Sequence, residues 1–117
     1  MKNVEKCLVF GGVNANGARG KMGTIKKAVK DIGASVWFMQ ETKCTREGSI
    51  QLDGFITYEH LRANGEGGGI ALSALKDLSP AFIRDGGDEV EALTIEIFVK
   101  QMAITLTSAY GPRKMPK

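Results

Sequence analysis

Apolar and polar positions along this chain follow two rhythms, and the rhythms divide it into elements. Lys6 to Val13 is rich in Val, Leu and Phe and reads as a first strand. Gly11 and Gly12 inside it mark a bulge or a close backbone contact. Met22, Ile25, Val29 and Ile32 then recur at spacings of three and four, which puts them on one face of a helix. Thr24 suits the N-cap of that helix and Gly33 the position just past its C-terminus. Lys26, Lys27 and Lys30 fall away from the apolar face and solubilise it. Val36, Trp37, Phe38 and Met39 are four apolar side chains in a row, the pattern of a strand covered on both faces. Strand, helix and strand in that order predict a βαβ unit with parallel strands.

Beyond Lys43 the rhythm becomes that of short strands. Gly54 to Tyr58 follows an Asp-Gly turn, and Gly68 to Leu75 follows a turn at Asn64 to Gly67. Pro80 to Ile83 is a further short strand, closed by the turn Asp85-Gly86-Gly87-Asp88. Ala92 to Val99 and Met102 to Ala109 are β-branched runs separated by Lys100-Gln101, which predicts a hairpin. One helix against about seven strands makes the fold class α/β: a βαβ opening followed by mainly antiparallel strands.

Length and composition narrow the class without naming a function. A chain of 117 residues allows one domain, and 43% hydrophobic with 25% charged residues marks it as globular rather than disordered. No apolar run approaches the roughly 18 to 20 residues of a membrane span. The stretch Cys7 to Val13 runs into a polar motif and does not read as a signal peptide. The expectation is therefore an intracellular protein, cytoplasmic or nuclear, with no membrane partner. Cys7 and Cys44 are too few and too far apart for a disulfide framework or a zinc site.

A net charge of +3 decides little, but its distribution is uneven. Residues 1–30 hold seven basic residues against one acid, residues 31–99 five against twelve, and residues 100–117 four against none. Basic ends around an acidic middle fit a surface with one electropositive zone.

Two strand ends carry the candidate chemistry. The run Val36 to Met39 stops abruptly in Gln40-Glu41-Thr42-Lys43, and the first strand ends in Asn14-Ala15-Asn16-Gly17-Ala18-Arg19. Open α/β sheets bind ligands at the carboxyl ends of their strands, so oxygen-bearing side chains at two such ends suggest one site. Other motifs carry less. Gly20-Lys21 invites a P-loop reading, but Met22 follows where Ser or Thr is needed and Ala15 stands at the first glycine position. Gly65 to Gly69 precedes a strand rather than a helix and reads as a flexible turn. His60 is alone and reads as a partly exposed structural histidine.

Four blocks in order resemble the endonuclease/exonuclease/phosphatase superfamily, closest to exonuclease III, the apurinic endonucleases and the endonuclease domains of non-LTR retrotransposons. They are Asn14 to Arg19, Phe38 to Lys43, Gly67-Gly68-Gly69-Ile70-Ala71-Leu72 and Ser108-Ala109-Tyr110-Gly111-Pro112. The resemblance implies metal-assisted hydrolysis of phosphodiester bonds in DNA, with RNA the alternative substrate. Glu41 would ligate Mg²⁺ or Mn²⁺, and Asn14 would hold the amide position beside the metal and the scissile phosphate. Tyr110 would hydrogen-bond the phosphate. Asn16, Gly17, Arg19, Lys43 and Arg113 would contact nucleic acid. Asn16 stands where apurinic endonucleases commonly carry Asp, which puts a metal role for it in doubt.

The Asp-x-Asn and Ser-Asp-His motifs that the family draws from its second half are absent from this sequence. The resemblance therefore implies that residues 1–117 form one partial domain, the N-terminal half of a four-layered α/β sandwich, with doubtful activity. Half a sandwich would leave Ile95, Ile97, Ile104 and Leu106 without cover, so the chain is expected to complete itself by self-association, most simply as a homodimer. Two competing readings are a non-catalytic oligomeric module that binds nucleic acid weakly, and a small nucleotide-binding α/β protein using its glycine-rich loop.

Overall fold

The computed structural model describes residues 8–44, 46, 48–61, 68–85 and 91–110, with Asp85 and Tyr110 described by backbone alone. Seven strands, one α-helix and two short 3₁₀ turns make up these residues. The strands are β1 (Phe10–Asn14), β2 (Val36–Gln40), β3 (Phe55–His60), β4 (Ile70–Leu75), β5 (Ala81–Asp85), β6 (Glu91–Val99) and β7 (Met102–Tyr110), and the helix is α1 (Met22–Ile32). The fold is mixed α/β, mostly strand, in two sheets.

The first sheet runs β1-β2-β4-β3, with β1 and β2 parallel and the other neighbours antiparallel. It contains the βαβ unit that the helical and apolar periodicities predict. The glycines of β1 mark a close approach rather than a bulge. A Cβ on Gly11 would lie 2.7 Å from the Trp37 ring, and one on Gly12 would lie 2.6 Å from the Phe38 carbonyl oxygen.

The helix differs from expectation at both ends. A 3₁₀ turn over Arg19–Lys21 leads directly into α1, so Lys21 rather than Thr24 occupies the N-cap. Gly33 closes the helix as expected, in the left-handed region (φ +72) with its N–H bonded to the Val29 and Lys30 carbonyls. Ile32 is exposed, because the buried stripe is carried by Met22, Ile25, Ala28 and Val29.

Alternation along β2 sends its side chains to two cores. Trp37 and Met39 face α1, packing with Ile25, Val29, Ile50 and Leu52. Val36 and Phe38 face the other way, packing with Ile70, Leu72 and Ala74 and with the second sheet. That sheet is β5-β6-β7, wholly antiparallel, its hairpin turning at Lys100-Gln101. Both turn residues have positive φ (50 and 66), as a tight two-residue hairpin turn demands.

The second sheet lies against the first, and this corrects one expectation. Ile95 and Ile97 are fully buried, Leu106 is nearly so, and Ile104 packs on the same cluster. Their cover is β4, β2 and β3 of the same chain. The long separation between the two apolar faces in sequence hid that they pair within one chain. Tyr58 ties the far side of the stack together: its ring stacks on Phe82 and its hydroxyl donates to the Pro80 carbonyl at 3.0 Å. Burial raises the Tyr58 phenol above its ordinary pKa. Among the described residues, no helix is long and apolar enough to cross a membrane.

Candidate functional site

The carboxyl ends of β1 and β2 continue past the strands as two loops joined by backbone hydrogen bonds. Ala15 N–H donates to the Gln40 carbonyl at 2.8 Å, Gly17 N–H to Glu41 at 2.9 Å and Ala18 N–H to Thr42 at 2.9 Å. The second loop is held on its other side as well. Thr42 N–H donates to the Gly69 carbonyl at 3.1 Å and Lys43 N–H to Gly68 at 2.9 Å. The loop carrying Glu41 is thus clamped between the asparagine loop and the glycine turn before β4. The two strand-end motifs form one locus, as their positions in sequence suggest.

Backbone strain concentrates there. Asn16 (φ 45), Glu41 (φ 53) and Lys43 (φ 55) occupy the left-handed region, flanked by Gly17, Gly68 and Gly69, also at positive φ. A left-handed non-glycine residue costs roughly 1–2 kcal/mol, and such residues persist where surrounding structure enforces them. Here the enforcing contacts are the hydrogen bonds just given. Thr42, between two strained neighbours, is buried, and its Oγ1 has no hydrogen-bond partner among the described residues.

Side chains complete the clamp. The Lys43 ammonium donates to Asn16 Oδ1 at 2.7 Å across the two loops. The Lys21 ammonium donates to the Ala15 carbonyl at 2.8 Å and to the Asn16 carbonyl at 3.3 Å. With Arg19, also exposed, three cations stand at this end of the first sheet. Lys21 escaped the sequence reading because Gly20-Lys21 drew attention only as a failed P-loop. Cys44, just beyond, is buried; burial first, and the Glu59 charge second, raise its thiol pKa above the ordinary value.

The register shows what shares this edge. Asn14, Gln40, Ile70 and His60 form one row across the four strands, spanning about 14 Å at ordinary strand spacing. Ile70 belongs to the core between the sheets, so the row faces the second sheet. His60, read from the sequence as a lone structural histidine, lies at this same edge, three strands from Asn14. The second sheet meets the edge through Glu91, the first residue of β6, whose carboxylate accepts the Gly69 N–H at 3.1 and 3.3 Å. Tyr110 is the register partner of Glu91, so its backbone lies at the same end. Glu91 was missed too, although Glu91, Leu93, Ile95 and Ile97 follow the period of two that marks a buried face. Arg113 lies outside the described residues.

Glu41 is a half-buried carboxylate and Asn14 an exposed amide, and the described residues include no group of three His, Cys, Asp or Glu side chains able to hold an ion. A Mg²⁺ that keeps most of its waters would ask the protein for no more than one carboxylate beside the substrate phosphate. Asn16 is poorly suited as a ligand, since its amide oxygen already accepts from the Lys43 ammonium.

No family model matches this chain, and no curated protein is significantly similar to it.

Proposed function

We propose that this chain carries the Asn/Glu half of the site of a divalent-metal-dependent endonuclease that hydrolyses phosphodiester bonds in DNA, on an exonuclease III-like sandwich. The observation that supports it most is the clamped loop holding Glu41 in a strained conformation beside the asparagine loop. In this reading the Glu41 carboxylate and the Asn14 amide oxygen hold Mg²⁺ or Mn²⁺. When bound, the ion neutralises charge on the phosphoryl oxygens and acidifies a coordinated water. Lys43, Arg19 and Arg113 draw the phosphate backbone in, and Tyr110 hydrogen-bonds the scissile phosphate. Lys43 also keeps Asn16 and the turn at Gly17 in place. The sequence has no counterpart of the family's water-activating Asp or its charge-stabilising His. Hydrolysis by this chain is therefore slow, because losing members of a catalytic unit removes several orders of magnitude.

The test is Mg²⁺-dependent nicking of supercoiled plasmid and of a duplex with an abasic site. Glu41→Gln should lower the nicking rate at least a hundredfold while leaving the fold intact. Equal nicking by both proteins would assign the activity to a contaminant. No nicking by either would leave a second reading, a nucleic-acid-binding module without chemistry. The exposed Arg19, Lys21 and Lys43 at one sheet edge favour that alternative. Its signature is DNA affinity that falls steeply with salt and is unchanged in Glu41→Ala.

Self-association as a homodimer belongs to the same proposal, as does the four-layered sandwich. The driving force would be the apolar side chains that stay exposed on the second sheet, Phe82, Ile83, Phe98 and Met102. Light scattering at micromolar concentration should give twice the chain mass; a stable monomer removes the idea.

A further inference from the structure

We infer that Glu91 is a positioning residue for the proposed metal site, acting from the second sheet through the Gly68-Gly69 turn on the loop that bears Glu41. The inference rests on the nuclease reading for its functional part only.

Glu91 stands where an apolar residue would suffice. It opens the row Glu91, Leu93, Ile95, Ile97, whose other members fill the core between the sheets, and it is itself only 7% exposed. Burying a carboxylate is unfavourable unless its oxygens are hydrogen-bonded. Both oxygens accept from the Gly69 N–H, so the charge is held on the backbone of a turn in the other sheet. That turn has consecutive left-handed residues, Gly68 (φ 63) and Gly69 (φ 87). Backbone amides presented by such turns favour anions.

From Gly69 the contacts run directly to the site. The Gly69 and Gly68 carbonyls accept from Thr42 and Lys43, at 3.1 and 2.9 Å. Those two residues immediately follow Glu41, whose carbonyl accepts from Gly17 at 2.9 Å. There is no slack in the turn, since a Cβ on Gly69 would lie 2.6 Å from Thr42 Oγ1 and 3.6 Å from the Lys43 nitrogen. A shift of the turn therefore moves Thr42 and Lys43, and with them the backbone that aims Glu41. The same edge of the second sheet carries Tyr110, the register partner of Glu91. One carboxylate thus links the edge that holds Tyr110 to the turn that clamps the Glu41 loop.

A role in positioning and a role in stability predict different outcomes for Glu91→Met. Methionine keeps the volume and continues the apolar row, and replacing a buried charge with a hydrophobic residue is often neutral or stabilising. We therefore expect an unfolding midpoint at or above that of the original chain. Amide hydrogen exchange at Thr42 and Lys43 should nevertheless accelerate at least tenfold relative to the β6–β7 ladder. Mn²⁺ binding, read by electron paramagnetic resonance, should weaken at least tenfold. Glu91→Gln retains an acceptor oxygen and should stay within threefold of the original in both measurements. Unchanged exchange at Thr42 and Lys43 in a folded Glu91→Met overturns the inference, as does undiminished Mn²⁺ affinity. If exchange accelerates but the original chain binds no Mn²⁺, the mechanical link stands, and it is the nuclease reading, with the functional role built on it, that falls.

Discussion

Gly69→Ala destabilises the folded chain by about 3 kcal/mol. Two separable effects add to reach that figure. The residue has φ +87, where a Cβ is strained by roughly 1–2 kcal/mol. The new methyl group would also sit 2.6 Å from Thr42 Oγ1, closer than real contacts allow. Relief requires moving a buried side chain on a loop already clamped on both sides, and overpacking of this kind costs typically 1–3 kcal/mol. Gly33→Ala is the control. It has a similar φ of +72 but nothing within 4 Å of the added carbon, so only the conformational part applies, about 1 kcal/mol. Urea unfolding of the two variants beside the original chain separates the effects. Equal losses would mean that the turn at Gly69 is not clamped as described.

Ile95→Ala should be at least as damaging, at about 3–4 kcal/mol. Ile95 is fully buried at the centre of β6, among Leu93, Ile97 and Leu106 of its own sheet and Val36, Ile70 and Leu72 of the other. Truncation there removes apolar atoms and leaves a cavity between two sheets that are too constrained to collapse. A domain of this size commonly has about 5–15 kcal/mol of total stability, so the variant should sit near the edge of folding at 37 °C. Phe82→Ala makes the comparison sharp. Phe82 is larger, but it is 51% exposed on β5, and its loss should stay near 1 kcal/mol. If Ile95→Ala cost no more than Phe82→Ala, the packing of the two sheets into one core would be wrong. A shared unfolding midpoint in near- and far-ultraviolet circular dichroism would show that the sheets unfold as one unit.

Both variants probe contacts that differ in how far the sequence announces them. The apolar run Val36 to Met39 points to a doubly covered strand, and β2 has a core on each face in the fold. The Lys100-Gln101 hairpin is equally legible, since two β-branched runs with a two-residue gap leave few alternatives. Misreadings came where a local signal had a rival. Thr24 is a good N-cap residue, but a 3₁₀ turn started the helix earlier. Ile32 fits the helical spacing, but at the last turn of the helix it stays exposed. Ile95 and Ile97 read as an uncovered face because nothing local says which other face meets them.

The sequence by itself determined the elements, their order and the two polar strand ends. Periodicity, turn chemistry and glycine punctuation are properties of residues near one another, and short-range sterics act on them directly. Only the tertiary structure decided that those strand ends are laced into one strained locus, by Lys43 on Asn16 across 27 positions and by Glu91 on Gly69 across 22. It also decided that the second sheet covers the first and that His60 shares the edge with Asn14. These outcomes depend on register and on which apolar face buries which. Many pairings satisfy the same pattern of polar and apolar residues, and packing together with hydrogen-bond satisfaction selects among them.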